Sequence, residues 1–273
     1  MRRIAFIPAR AGSVRIPFKN IRPIGGHPLL AYSVNAAVKS GCFDKVVCST
    51  NSAVIAQIAE HYEAETLIRP AEYATSSSPD IQWVRHALDA LERHSDYDAF
   101  SIIRPTSPFR RPDTVQRAMA QWDSFHDPTA YESLRAVERT SLTPFKMWVV
   151  RFGTMHPLIP FGPESQPWHS SQTATLPDIW VQNASLEIAW TDTVRRLGTI
   201  AGERVMPFFT EEDEGFDLST MHDWWFAEMM IEKERWALPP IDQTPWKVDV
   251  EQLRRVAEDA SMDLNVEELA WSL

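Results

Sequence analysis

The first forty-three residues contain no aspartate or glutamate, although the chain as a whole holds 37 acids against 27 lysines and arginines, a net charge of −10. Other shortages exclude whole classes of protein. There are 2 cysteines, Cys42 and Cys48, with no histidine or cysteine neighbour at ligand spacing, so neither a disulfide framework nor a zinc site is expected. GxGxxG and GxxxxGK[ST] are both missing, which leaves a dinucleotide reductase and a P-loop NTPase unsupported. The 8 histidines form no HxxxH or HExxH, no GxSxG elbow occurs, and His86 and His222 read as helix-surface groups rather than general bases. No apolar run approaches the roughly 18 residues of a membrane span. With no internal repeat, the expectation is an ordinary globular chain of the cytoplasm.

What the amino-terminal region does hold is basic. Arg2, Arg3, Arg10, Arg15, Lys19, Arg22 and Lys39 lie within it, whereas 17 acids face 5 bases from Glu211 onward. A spread basic face for nucleic acid is absent, and no membrane partner is expected. A local basic pocket in an acidic body suits a small polyanion. The apolar stretch Ile4 to Ile7 runs directly into IPARAGSVRIPFKN, a Gly/Ser turn carrying Arg10, Arg15 and Lys19. A strand that ends in small residues leaves the backbone N–H groups of Ala9, Ala11, Gly12 and Ser13 free to point at phosphate oxygens, and a following helix would add the positive end of its dipole. The segment reads as a triphosphate cradle.

Strands and helices alternate through the first half. Strands are expected at Arg3 to Ile7, Lys45 to Ser49, Glu65 to Ile68 and Ala99 to Ile103. Helices are expected near Pro28 to Lys39, Ser52 to Glu63, Asp80 to Arg93 and Pro112 to Trp122. This order predicts an α/β, Rossmann-like fold with a mostly parallel sheet, helices on both faces and a site at the carboxyl edge of the strands. Strands at Ala130 to Val137, Met147 to Val150 and Asn183 to Ala189, around the Pro-, Ser- and Gln-rich stretch Pro157 to Pro177, read as a β-rich arm spanning about 130–180. A helix from Thr220 to about Trp236 carries Trp224 and Trp225, which are expected to pack it on the sheet. The domain proper is expected over 1–236, and a Pro-rich link with the amphipathic helix Val248 to Ala260 forms an extension over 237–273.

IPARAGSVRIPFKNIRPIGGHPLLAYSVNAA, the CSTNS turn, RPAEYATSSSP, RPTSPFR and QNASLEI, in this order from Arg3 to about Glu232, together resemble the acylneuraminate cytidylyltransferase family. The resemblance implies a nucleotidyltransferase that joins CTP to a nonulosonic acid with release of pyrophosphate, a homodimer built by a swapped arm, and Mg²⁺ as cofactor. Arg10, Ser13 and Lys19 match positions that hold phosphates, and Asn20 one that touches the nucleotide sugar. Arg69, Asp80 and the loop with Thr106 and Ser107 line the nucleotide side, and Lys146 matches an arm lysine reaching the sugar. Asn183 matches the asparagine of the late motif. Asp217 aligns with the first carboxylate of the metal motif, so Arg10, Lys19 and Asp217 are the expected catalytic set.

The chemistry explains the residue types. Attack of a sugar hydroxyl on the α-phosphorus builds charge on the phosphoryl oxygens and the leaving pyrophosphate, so fixed cations and a hard divalent ion are needed. Four positions depart from the family pattern. Val14 stands where many relatives carry lysine, and Arg15 is the candidate to supply the missing charge. Ser219 replaces the second metal carboxylate, with Asp223 as a substitute ligand, and Asp217 and Ser219 are also expected to cap the helix near Thr220. Arg104 replaces a glutamine that reaches the sugar, and Val181 an arginine that binds the sugar carboxylate. Either Arg104 clamps an anionic group with its own fork, or the acceptor is another ulosonic acid, a sugar phosphate or a phosphonate, with CTP or GTP as donor. A nucleotide-binding homologue without turnover is the remaining alternative.

Overall fold

A computed structural model describes residues 1–92, 96–124, 130–140, 142–263 and 266. The strands in chain order are β1 (Arg3–Pro8), β2 (Pro23–Ile24), β3 (His27–Pro28), β4 (Lys45–Thr50), β5 (Glu65–Ile68), β6 (Ala99–Ile102), β7 (Ser133–Arg139), β8 (Trp148–Arg151), β9 (Thr154–Pro157), β10 (Trp180–Trp190) and β11 (Val205–Phe209). The helices are α1 (Leu29–Ser40), α2 (Ala53–His61), α3 (Asp80–Glu92), α4 (Pro112–Asp123), α5 (Met221–Glu232) and α6 (Val250–Asp259). Arg93, the expected end of the third helix, lies outside the described residues.

Among the described residues one sheet of seven strands runs β11-β7-β10-β6-β1-β4-β5. β1 pairs in parallel with β4 and β6, β4 with β5, and β10 is antiparallel to β6. This is the expected mostly parallel sheet. Alternation along β1 explains the layers, because successive side chains point to opposite faces. Ala5 and Ile7 pack with α1 and α2, whereas Ile4 and Phe6 pack against Trp83, Val84 and Leu88 of α3. Phe6 meets Trp83 edge-on at 6.0 Å, an arrangement the ring quadrupoles favour.

Local chemistry sets the helix ends. Ser52 accepts a hydrogen bond from the Ile55 amide as the N-cap of α2, and Gly41 ends α1 in the left-handed region with φ 65°, where a side chain would be strained. Asp249 and Gln252 close a reciprocal capping box at the start of α6. The helix after the amino-terminal loop is α1, where it is expected near Pro28 to Lys39, and bends and turns at positions 14–22 and the hairpin of the two-residue strands β2 and β3 come between. The expectation that the loop's amides are free for phosphate is corrected for Ala9, Ala11 and Ser13, whose N–H groups donate to the Ser49 carbonyl, Asn51 Oδ1 and the Ala11 carbonyl. The helix near Thr220 is capped by Thr220 with Asp223, and not by Asp217 or Ser219. Trp224 is fully buried, but Trp225 faces outward, so only one of the pair packs inward.

Two compact units result: residues 1–136 with 183–273, and residues 137–182. The smaller one contains the antiparallel β8–β9 pair, with the Arg139–Asp178 ion pair and an edge contact of Phe145 with Trp168 at 4.4 Å. α6 belongs to the larger unit, where Leu253, Val256 and Ala257 join the core beneath α2.

Candidate active site

The parallel strands deliver three loops to one edge. β1 leads into 9–20, β4 into Asn51 and Ser52, and β6 into Ile103 and Arg104. Around them lies a cleft of about 250 Å³, bounded by Pro8, Arg10, Ser13, Lys19, Asn20, Arg69, Tyr73, Thr75, Ser76, Ser78, Asp80, Trp83, Arg104, Pro105 and Thr106. Eight of the expected site residues are in that wall: Arg10, Ser13, Lys19, Asn20, Arg69, Asp80, Arg104 and Thr106.

The amino-terminal loop is held by its own backbone and by two asparagines. The Ala9 amide donates to the Ser49 carbonyl at 3.0 Å, the Ala11 amide to Asn51 Oδ1 at 2.9 Å, and Asn20 Nδ2 to the Arg10 carbonyl at 2.8 Å. Ala9 and Ala11 are buried in the core and do not face the cleft. Arg10 donates to the Ala74 carbonyl at 3.4 Å and Lys19 to the Leu218 carbonyl at 3.3 Å. Among the described residues neither cation is ion-paired. Burial lowers the pKa of both, and repulsion from Arg15 lowers it further; Asp217 opposes the shift at Lys19. Val14 and Arg15 are exposed, so Arg15 acts on the cleft through its field.

Leu218 joins two motifs. Its amide donates to the Thr106 carbonyl at 2.8 Å while its carbonyl receives Lys19, which sets Asp217 next to the lysine. Ser219 Oγ donates to Asp217 Oδ2. Asp223 Oδ2 receives the amides of Ser219 and Thr220 at 3.1 and 2.6 Å. Asp223 is thus occupied as a cap, and Asp217 carries the more available carboxylate. Among the described residues no three His, Cys, Asp or Glu side chains gather as a metal cage. Asp217, near Lys19, is nonetheless a single hard-oxygen donor of the kind that Mg²⁺ takes together with phosphate oxygens and water.

The opposite wall is built differently. Arg104 Nη2 contacts Asp80 Oδ2 and Glu187 Oε1, each at 2.7 Å, and its Nε donates to Glu187 Oε1 at 3.2 Å. Buried Glu187 also pairs with Arg135. The expectation that Arg104 offers an open fork to an anion is corrected here: its Nε and Nη2 are committed to protein carboxylates. Burial pushes Asp80 up, but Arg104, Trp83 Nε1 and Arg69 outweigh it and hold the carboxyl below its ordinary value. Arg69 donates to the Ser49 and Tyr73 carbonyls and stacks 5.0 Å over Trp83, with burial lowering its pKa to about 10.

Other expected residues lie elsewhere. Gly12, Arg15 and Asp217 do not line the cleft. Ser107 is buried, Asn183 donates to Thr210 Oγ1 at 2.9 Å, and Lys146 ends a short turn, Pro144–Lys146, in the smaller unit. Sequence reasoning missed Tyr73, Trp83 and the Ser78 region as wall residues, and Glu187 and Arg135 as the pair behind Arg104. A carboxylate in the otherwise apolar run Leu186 to Trp190 was the available signal for Glu187, since a buried charge needs a partner.

The cytidylyltransferase family model matches residues 4–131. CMP-N,N'-diacetyllegionaminic acid synthase of Legionella pneumophila is 32% identical over 244 residues, covering 87% of this chain and 100% of that protein. The chain belongs to the cytidylyltransferase family. A second relative, N-acylneuraminate cytidylyltransferase of Escherichia coli, is 36% identical over 138 residues, 50% of this cytidylyltransferase and 32% of the longer relative. Among solved structures, CMP:2-keto-3-deoxy-manno-octonic acid synthetase complexed with CTP shares the fold with a TM-score of 0.61 at 14% identity, covering 86% of this chain and 100% of that one.

Proposed function

We propose that this cytidylyltransferase transfers CMP from CTP to a sialic-acid-like or other ulosonic acid and releases pyrophosphate. The observation that carries the reading is the convergence of Arg10, Lys19, Asn20 and Arg69 on one cleft at the carboxyl edge of the parallel strands. Full-length similarity to a CMP-sugar-acid synthase supports the acceptor class. The Arg10 guanidinium and Lys19 ammonium, which donate to backbone carbonyls and pair with no carboxylate among the described residues, neutralise charge that grows on the phosphoryl oxygens and the departing pyrophosphate. Asn20 keeps the loop in register. Asp217 would hold Mg²⁺, which supplies further neutralisation of phosphate charge when bound.

Asp80 and Glu187 fix the Arg104 side of the cleft, so acceptor recognition there uses a wall whose charges are already balanced. The arm, residues 137–182 with Lys146, is the part we assign to a homodimer, with Lys146 directed to the acceptor. The enzyme would work in the cytoplasm, where its nucleotide donor is made. Pyrophosphate release measured across four nucleoside triphosphates and a panel of 2-keto acids and sugar phosphates tests the reading. Release with CTP and a keto acid supports it; release only with a sugar phosphate, or none with any acceptor, overturns it.

A further inference from the structure

Helix α6 has no part in the chemistry above, yet it ends against the phosphate loop. α6 is seated by Leu253, Val256 and Ala257, which share a core with Ile55, Ile58 and Ala59 of α2 and with Ala9 and Ala11 of the loop. At its last turn the Asp259 carbonyl accepts a hydrogen bond from Asn51 Nδ2 at 3.0 Å. The other end of the same amide, Asn51 Oδ1, accepts from the Ala11 amide at 2.9 Å. A side chain on Gly12 would sit 3.6 Å from Ala260 Cβ, so the helix end and the loop are close neighbours. One primary amide therefore spans from the helix terminus to the backbone that must stay in place beneath a triphosphate.

We infer that Asn51 is a positioning residue through which α6 braces the nucleotide loop. Both functions of its amide are required at once: the carbonyl fixes the Ala11 N–H, and the NH₂ draws on the helix. A carboxylate has no proton to donate, and the single oxygen of a hydroxyl cannot reach both partners. The loop lacks a helix directly behind it, so this lateral tie joins the Ala9–Ser49 and Asn20–Arg10 hydrogen bonds in giving it the order that phosphate binding needs. Preorganisation of this kind appears in binding, because an unbraced loop must be ordered when the ligand arrives.

The part of this inference that concerns affinity rests on CTP occupying the cleft; the part that concerns loop order does not. Four full-length proteins separate them: the parent, Asn51→Ala, Leu253→Ala, which loosens α6 from its seat, and the double variant. In nucleotide-free protein, amide exchange at Ala11 and Gly12 should quicken by about three- to tenfold in Asn51→Ala, the scale of one lost hydrogen bond. The KM for CTP should rise by a similar factor, about three- to tenfold, with kcat within about twofold. Leu253→Ala should move both readouts in the same direction, and in the Asn51→Ala background it should add nothing, since its route to the loop is already cut. Independent, additive effects, or unchanged exchange in Asn51→Ala, overturn the brace. Should Leu253→Ala fail to fold by its thermal melt, Val256→Ala takes its place in the cycle, and Asn51→Ala alone still decides the exchange result. A parent protein that shows no CTP binding, with quickened exchange in Asn51→Ala, would retain the brace and reject the nucleotide reading instead.

Discussion

The two walls of the cleft handle charge in opposite ways. On one side, among the described residues, Arg10 and Lys19 donate to the carbonyls of Ala74 and Leu218 and to no carboxylate. On the other, Arg104 is balanced by Asp80 and Glu187, and behind it Glu187 also pairs with Arg135. A cation held by carbonyls keeps attraction in reserve for an arriving anion. A cation paired with carboxylates has spent it on fixing geometry. The difference divides the cleft into a face whose cations have no carboxylate partner among the described residues and a face that holds shape.

The largest expected effect breaks the balanced wall. Replacing Glu187 by alanine leaves Arg135 without its buried carboxylate and Arg104 with Asp80 alone, and should destabilise the protein by about 3–5 kcal/mol, read from urea unfolding. A loss below about 1 kcal/mol would show that the pairing contributes no more than a surface bridge. Next, Arg10→Ala removes charge from the unbalanced wall. Turnover should fall by about 100-fold, the scale of one lost preorganised donor, while the melting temperature hardly changes. Near-normal turnover would remove Arg10 from the phosphate face.

Acidity gives a third contrast. The folded-state pKa of Lys19 is lowered, so its proton is lost earlier on alkaline titration than that of an ordinary lysine. Bound triphosphate favours the charged form, and CTP affinity should therefore decline with rising pH below the usual lysine range; Lys19→Arg should move that decline upward. Asp80 runs the other way. Its folded pKa is depressed, so the stability it contributes is complete above the unfolded carboxyl value of 3.8 and is lost as pH falls through the lower folded value. The smallest effect belongs to exposed Arg15. Arg15→Ala relieves repulsion on Arg10 and Lys19 but removes a distant attraction for phosphate, and CTP affinity measured by calorimetry should change by less than about threefold.

Much of the fold was legible because the core strands and their helices follow clear periods. Arg3 to Ile7 and Ala99 to Ile103 read as strands, and the structure pairs β1 with β6. Elements that failed to announce themselves were too short or chemically ambiguous. β2 and β3 contain two residues each, which leaves no period to detect. β11 contains Pro207, a residue that argues against a strand unless it lies at an edge, and the sheet order places it there. In the site, the basic wall with Arg10, Ser13, Lys19 and Asn20 was visible as one continuous cationic segment. The opposite wall was not, because Arg104 and Glu187 are 83 positions apart and meet only through the pairing of β6 with β10. Asn51 was part of a recognisable turn, but its two partners come from opposite ends of the chain.

Pro207 has a wider consequence. A proline supplies no main-chain N–H, so the outermost strand of the sheet offers an interrupted ladder to any foreign strand that tries to zip onto it. The molecule thereby guards one rim against runaway strand addition.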